Sequence, residues 1–375
     1  MRWAHVAPLP LLLAAACTGG GSSGDTGVGS IAEGLALLPD GGEEQTVVWG
    51  DLVEAAEIAG VERPEDPSDA EVVADYGLAV TAGQSDDASG RPPVFAPTPQ
   101  AAHAEQLVQI EEFVDDVGWS LLDVDRFVER LTPPGIITVV EGAVEADDLT
   151  AALGEADDGV WQAGRPGAGA FALDADEITA ARPLGESLWL GLDDGRLAVG
   201  RDPADVEAVR SALSGDEARP TLADDEALLA LAEVLDGADP YAAMLVRPGI
   251  PADPFDVADP SADQVTERCA AALPEVTTAV GTGLAEDDGP VVLVALAHGS
   301  RDEAEANAQA LEEAVTSGAR VVSGEDWSEL VELAGIEVTG EDRRVVLAEL
   351  RPRDPMAASM WSDLMVRRDP LITYC

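Results

Sequence analysis

The sequence contains no lysine and a single asparagine, so the 21 residues counted as basic are all arginine. Aspartate and glutamate number 73, which gives a formal net charge of −52. A surface of this sign repels phosphate backbones, and we therefore expect no nucleic-acid partner. The missing lysine is typical of GC-rich genomes, and the acidity is typical of a saline habitat. A dedicated cation-binding role is the alternative explanation of the acidity.

Histidine is also scarce, with His5, His103 and His298 as the only three. Nucleophile–base triads and histidine-rich metal sites require more than this set offers. The segment Ala297–Asp302 contains His, Ser and Asp, but it lies between a predicted strand and a predicted helix, which favours a turn over a catalytic unit. We therefore predict no catalytic residue, no cofactor and no metal site, and we expect a protein that is not an enzyme.

No apolar run reaches the roughly 20 residues that a membrane-spanning helix needs. The stretch Val6–Ala16 follows Arg2 and has the length of the apolar region of a signal peptide. It ends in Leu13-Ala14-Ala15-Ala16-Cys17, which resembles the lipobox of bacterial prolipoproteins, with the leucine one position farther from the cysteine than usual. The Gly/Ser-rich residues that follow Cys17 predict a flexible tether.

The lipobox resemblance implies that residues 1–16 are removed and that Cys17 is acylated. It also implies an extracytoplasmic location, with the chain anchored to the cell membrane by this lipid. An ordinary secretory signal cut after Ala16, leaving a free Cys17 thiol, is the alternative. In overall style the chain also resembles the uncharacterised α+β lipoproteins of GC-rich Gram-positive bacteria, a resemblance that implies no site residue.

Two cysteines remain if Cys17 is acylated, namely Cys269 and Cys375. An even pair outside the cytoplasm is typical of a disulfide, and we predict a Cys269–Cys375 bridge. The alternative is a buried thiol at Cys269 and an unpaired terminal Cys375.

Hydrophobic periodicity predicts an α+β fold. Apolar residues at helical spacing predict a helix over 110–117 and a second over 121–131. Asp193-Asp194-Gly195 and Asp287-Asp288-Gly289 separate apolar runs and predict two hairpins. Weak divalent-cation binding at such turns is the less favoured alternative, because the alternating oxygens of a calcium loop are absent.

The order strand, helix, hairpin, helix, strand occurs twice after residue 135. This order is that of the split βαβ, or ferredoxin-like, unit. We therefore predict two pseudo-repeated lobes with antiparallel sheets, each covered by helices on one face. The predicted organisation is a signal peptide (1–16), an anchor and tether (17–40), a helical N-terminal part (41–135), a first lobe (136–240) and a second lobe (241–375).

These features favour a non-enzymatic binding module of the cell envelope. One version is a carrier that holds a small molecule or lipid in a cleft or under a sheet. A second version binds a protein partner or wall polymer through its surface, and an exposed apolar patch would favour it. A hydrolase that uses paired carboxylates is the alternative from another class.

Overall fold

The computed structural model describes residues 28–375 except 43, 65–68, 85–90, 103–108, 166, 216–218, 252–271, 319, 321–324, 341–343 and 370. The helices described there are α1 (Ile31–Leu37), α2 (Leu52–Ala59), α3 (Ala70–Thr81), α4 (Ile110–Val117), α5 (Ala146–Leu153), α6 (Pro203–Leu213), α7 (Glu226–Asp236), α8 (Arg301–Ser317), α9 (Trp327–Leu330) and α10 (Met360–Val366). The strands are β1 (Gln45–Asp51), β2 (Val124–Thr132), β3 (Gly135–Gly142), β4 (Val160–Ala163), β5 (Leu188–Asp193), β6 (Arg196–Gly200), β7 (Ala242–Arg247), β8 (Ile250–Pro251), β9 (Ala279–Glu286), β10 (Pro290–Ala297), β11 (Val331–Thr339), β12 (Val345–Pro352) and β13 (Thr373–Tyr374).

Eleven of these strands form one antiparallel sheet in the order β11-β12-β10-β9-β7-β1-β2-β3-β6-β5-β4. β1 and β7 pair with each other at the centre, from Gln45 opposite Arg247 to Gly50 opposite Ala242. The short strands β8 and β13 form a separate parallel pair. The chain is therefore α+β with antiparallel strands, as predicted.

The predicted helix over 121–131 is wrong, because Val124–Thr132 is strand β2 and only Leu121–Asp123 forms a 3-10 turn. The spacing of Val124, Phe127 and Val128 fits a helix face, but β2 is central in the sheet and buries residues on both of its faces. A strand covered on both sides loses the polar–apolar alternation that identifies strands in a sequence.

The predicted boundaries between the lobes do not agree with the strand order of the sheet. The segment 41–135, expected to be helical, contributes β1 and β2 to the centre of the common sheet. The boundary drawn after residue 135 falls inside the hairpin of β2 and β3. The two split-βαβ lobes are not confirmed.

The halves of the sheet nevertheless share one strand plan. Outward from the centre, β1-β2-β3-β6-β5 has the same chain order as β7-β9-β10-β12-β11, and β4 is an addition to the first half. In this plan the hairpin β2–β3 corresponds to β9–β10, whereas the sequence pattern had matched β5–β6 to β9–β10. These two hairpins were matched because both have an Asp-Asp-Gly turn. Turn residues determine only local structure and carry no information on strand order.

Helices cover both faces of the sheet, so the expectation of one covered face is wrong. We call face A the side that carries Val140, Val199 and Val294, and face B the side that carries Ile137 and Val139. Buried side chains of α1, α6 and α7 pack on face B, and those of the other helices belong to the core on face A. The result is three layers, with two apolar cores separated by the sheet.

Local sequence signals explain the turns and caps. Asp194 and Asp288 have positive φ angles of 46° and 53° in their hairpin turns, a conformation that aspartate tolerates better than most residues. Ser300 caps the N-terminus of α8 and forms a capping box with Glu303. The Gly281-Thr282-Gly283 segment forms no bulge, since β9 pairs in unbroken register with both neighbours.

Candidate functional site

Several residues singled out in the sequence lie outside the described residues: Cys17, His103 and Cys269. The lipidation and the disulfide therefore stay predictions. The C-terminus is described, and there the Cys375 backbone N–H donates a hydrogen bond to the Leu273 carbonyl at 3.4 Å. This contact places the predicted partner Cys375 beside a residue only four positions after Cys269.

His298 lies at the predicted turn and is 3% exposed. Its Nε2 is 2.8 Å from Nδ2 of Asn307, and its Nδ1 is 3.3 Å from the Arg344 carbonyl oxygen. Burial lowers the pKa of His298, so the ring is neutral at physiological pH. The Asn307 side chain also bonds to both backbone groups of Glu275. His298 thus belongs to a structural network that joins β10 and α8.

The tryptophans are core residues. All six in the described part of the chain are at most 7% exposed: Trp49, Trp119, Trp161, Trp189, Trp327 and Trp361. Among the described residues, no cluster of three or more His, Cys, Asp or Glu side chains could hold a metal ion. No helix within that part of the chain is both long and apolar enough to cross a membrane.

An open cavity of about 220 Å³ lies on face A, over β3, β6 and β5. We call it the Glu129 pocket after the carboxyl group behind its wall. Three apolar side chains, Ile136, Leu188 and Val199, contribute to the wall from the sheet. The irregular residues 100–101 and 181–186 contribute the other side. A concave apolar site on a rigid sheet, with a few converging polar groups, is the common form of a small-molecule site.

Glu129 projects from the middle of β2 and is only 1% exposed. Its neighbours across the sheet are Val48 on β1 and Thr138 on β3. One carboxylate oxygen, Oε2, accepts a hydrogen bond from the Thr138 hydroxyl at 2.6 Å and from the Gln100 backbone N–H at 2.9 Å. Thr138 and Gln100 both line the pocket, so the carboxyl lies one hydrogen bond behind its surface.

Burial raises the pKa of Glu129 to about 7. The two hydrogen bonds and the positive charge of Arg201 oppose this rise without cancelling it. A carboxyl group with such a pKa changes charge near neutral pH and can either donate or accept a hydrogen bond. Perturbed acids beside a cavity are enriched at functional sites, although structural networks also produce them.

A second carboxylate lines the pocket directly. Glu186 accepts a hydrogen bond from Arg201 Nη2 at 3.1 Å and another from the Leu184 backbone N–H at 2.9 Å. Its side chain is 6% exposed and that of Arg201 is 26% exposed. The pocket therefore has apolar walls and a charged rim formed by one ion pair.

The segment between β4 and β5, of which residue 166 is not described, lines the pocket at residues 181–186 and is bonded to helix α4. The Arg182 guanidinium, 5% exposed, lies 3.3 Å from Asp116, and the Thr179 hydroxyl donates to the same carboxylate. This segment also carries four of the large apolar side chains that are exposed: Phe171, Leu173, Ile178 and Leu184 at 38%, 64%, 57% and 57%. Of these four residues, Leu184 lines the pocket.

A larger cavity of about 430 Å³ lies between α4, α5 and the turn at 121–123, with Asp115, Asp123 and Asp148 on its wall. Burial raises the pKa of Asp123, and the negative charge of Asp148 adds to that rise. Asp123 Oδ2 accepts hydrogen bonds from the Ser120 N–H at 2.7 Å and hydroxyl at 3.1 Å, which caps the turn. This bonding gives Asp123 a structural role.

No protein-family model, curated protein or solved structure matches the chain. The candidate site therefore rests on geometry alone. Sequence reasoning missed Glu129, because one acid among 73 has no distinguishing feature unless the burial of its strand is known. The available signal was a charged pair, Glu129-Arg130, between the apolar residues Phe127-Val128 and Leu131.

Proposed function

We propose that the protein is a non-enzymatic, lipid-anchored binding protein of the cell envelope that holds a small ligand in the Glu129 pocket. The observation that carries this proposal is the pocket itself. It combines apolar walls, an ion pair at the rim and a buried carboxyl group whose pKa lies near 7. Its walls are built on adjacent strands, which hold such groups in place better than loops do.

The anchor part of the proposal is supported by the lipobox-like sequence and the Gly/Ser-rich residues after Cys17. The first described residue, Val28, donates its backbone N–H to Glu141 and accepts a hydrogen bond from Trp49 Nε1 at 3.0 Å. Val28 packs in the core on face B, whereas the pocket opens on face A. A lipid attached through this end would therefore leave the pocket accessible.

The test is native mass spectrometry of the chain after export, compared with a variant in which the pocket is filled. Ile136→Trp places a large ring in the cavity, and Ile178→Trp is the matched control because Ile178 is exposed and does not line the pocket. We expect a co-purified mass in stoichiometric amount in the unmodified chain and the control, and its loss in Ile136→Trp. Equal retention in all three chains would contradict the proposal.

A partner-binding module is the second candidate, and the exposed apolar residues of the segment 164–187 favour it. Large exposed apolar patches on soluble domains mark interaction sites. Replacing Leu173 and Ile178 with serine would abolish crosslinks to an envelope partner if the segment binds one. The same double variant would leave the co-purified mass unchanged if the protein is a carrier.

The carboxylate-dependent hydrolase is the least supported alternative. Its best location is the cavity of Asp115, Asp123 and Asp148, because a general acid with a raised pKa and a second carboxylate are what such chemistry requires. Asp148→Asn would abolish glycoside hydrolysis at this site, whereas Asp363→Asn, at a half-buried position on α10, would leave it intact.

A further inference from the structure

The charges around the Glu129 pocket do not balance when both of its carboxyl groups are ionised. Glu129 and Glu186 contribute two negative charges, and Arg201 contributes one positive charge. Arg182 does not correct the deficit, since its guanidinium lies against Asp116 and Glu177 at 3.3 Å and 3.9 Å. On the other side of Glu129, β1 presents the uncharged Val48. One negative charge is left without a cation in a poorly solvated place, which is costly.

The shape of the pocket restricts what can supply the missing charge. A cavity of about 220 Å³ holds roughly seven waters at ~30 Å³ each, and an apolar cavity of about 150 Å³ is known to bind benzene. The walls at Ile136, Leu188 and Val199 offer no polar side chain. A ligand that fills the pocket therefore has an apolar body of about one six-membered ring.

We infer that the Glu129 pocket binds a monocationic amine that carries an apolar body of about one ring. The ammonium group lies against the Glu186 carboxylate and the Thr138 hydroxyl, and the ring lies against the apolar wall. The amine replaces the proton that otherwise neutralises Glu129, because Thr138 links the ligand to Oε2 of that carboxyl group. The protein's net charge of −52 attracts such a cation before it reaches the site.

This inference rests on the proposed function and names its ligand class, so the test compares three probes of the same size. Benzylamine is a cation, benzoate an anion, and benzyl alcohol is neutral. Each is titrated calorimetrically into the purified full chain at pH 7.5 and moderate salt. We expect benzylamine to bind with one-to-one stoichiometry and at least tenfold more tightly than either of the other probes.

Glu129→Gln keeps the size of the side chain and its hydrogen-bond acceptor but removes the charge. We expect this variant to lose at least tenfold in benzylamine affinity and to leave benzyl alcohol binding unchanged. Glu337→Gln is the matched control, because it removes one carboxylate from an exposed position on β11 of the same sheet. Its benzylamine affinity should equal that of the unmodified chain within twofold. This control distinguishes the effect of the Glu129 charge from the effect of the protein's overall negative charge.

The pH profile gives a readout that a purely structural role would not change. Below pH 7 the amine competes with a proton on Glu129, so benzylamine affinity should fall by up to tenfold per pH unit. The profile of Glu129→Gln should be flat over the same range.

Tighter binding of benzyl alcohol or benzoate than of benzylamine would overturn the amine inference and leave the binding function standing. The absence of binding by all three probes would also overturn the inference. The proposed function is judged separately by the co-purified mass and its loss in Ile136→Trp.

Discussion

In the C-terminal half of the sheet, face A of β9 and β10 lies under helix α10, whereas in the N-terminal half the corresponding strands β2 and β3 lie partly under irregular chain. In the interior of a helix the backbone N–H groups bond within the helix, so they offer no donor to the sheet below. Gln100 is the first residue of a 3-10 turn, and its unused N–H donates to Glu129. In β9 the polar residue on face A is Thr282, fully buried, and its hydroxyl group has no hydrogen-bond partner. The type of cover thus decides whether a polar group in the sheet is satisfied.

The largest effect is expected when a carboxyl group is introduced into the C-terminal half of the sheet. Thr282→Glu places an acid on face A of β9, where the Thr282 hydroxyl group finds no hydrogen-bond partner. We expect a loss of about 5 kcal/mol in the free energy of unfolding, measured with urea at pH 8. Thr282→Val is the control and should be neutral or slightly stabilising, because it removes a buried hydroxyl without a partner. Tolerance of the glutamate would refute our explanation of the difference between the halves.

The second prediction concerns the other charged residue of β2. Arg130, whose side chain is 4% exposed, lies 2.5 Å from Asp205 on α6 and 2.5 Å from the Pro39 carbonyl oxygen. Asp205→Ala removes one of the two partners of this buried guanidinium. We expect a loss of about 3 to 4 kcal/mol in the free energy of unfolding, measured by thermal denaturation. Glu207→Ala on the same helix breaks only an exposed pair with Arg210 and should cost under about 0.5 kcal/mol. Equal effects would show that Arg130 is solvated.

The third prediction follows from the raised pKa of Glu129. Between the unperturbed value of 4.5 and the folded value of about 7, the folded state holds a proton that the unfolded state has released. The contribution of this group to stability therefore falls as pH rises through that window. We expect the free energy of unfolding of Glu129→Gln, taken relative to that of the unmodified chain, to rise by about 2 to 3 kcal/mol between pH 4.5 and pH 8. A pH-independent difference would place the pKa of Glu129 near its ordinary value.

The smallest effect is expected in the polar network of the C-terminal half. Burial lowers the pKa of His298, so folding holds the ring neutral while the unfolded chain takes up a proton near pH 6.5. Stability from this group is present above that pH and is lost as pH falls. His298→Gln should cost about 1 kcal/mol at pH 7.5 and less at pH 5, as measured by urea denaturation. A cost that increases on acidification would contradict the neutral assignment.

Local signals in the sequence predicted local structure well. The hairpins at Asp193–Gly195 and Asp287–Gly289 and the helix at 110–117 follow from residues that are adjacent in the chain. The α+β class followed from the same signals. The pairing of β1 with β7 could not be predicted, because strands almost 200 residues apart carry no mark of their partner.

The candidate site could not be predicted from the sequence either, because it depends on contacts between distant segments. Glu129 is unusual only because residues 100 and 181–186 fold over it, and neither segment has a motif. Its raised pKa is a property of that cover and not of the neighbouring sequence. In contrast, the predicted turn at His298 needed only the strand before it and the helix after it.

The attachment of the N-terminal residues has a mechanical consequence. Helix α1 is held by side chains, with the backbone N–H groups of Ile31 and Ala32 bonded to Asp236 at 2.8 Å and 3.1 Å. Strand β1, which follows, is bonded along its whole length to a strand on each side. A pull on the chain before Val28 would act first on α1 and then on the backbone hydrogen bonds between residues 38–40 and 220–222. Only after these contacts were broken would the load reach the two ladders of β1.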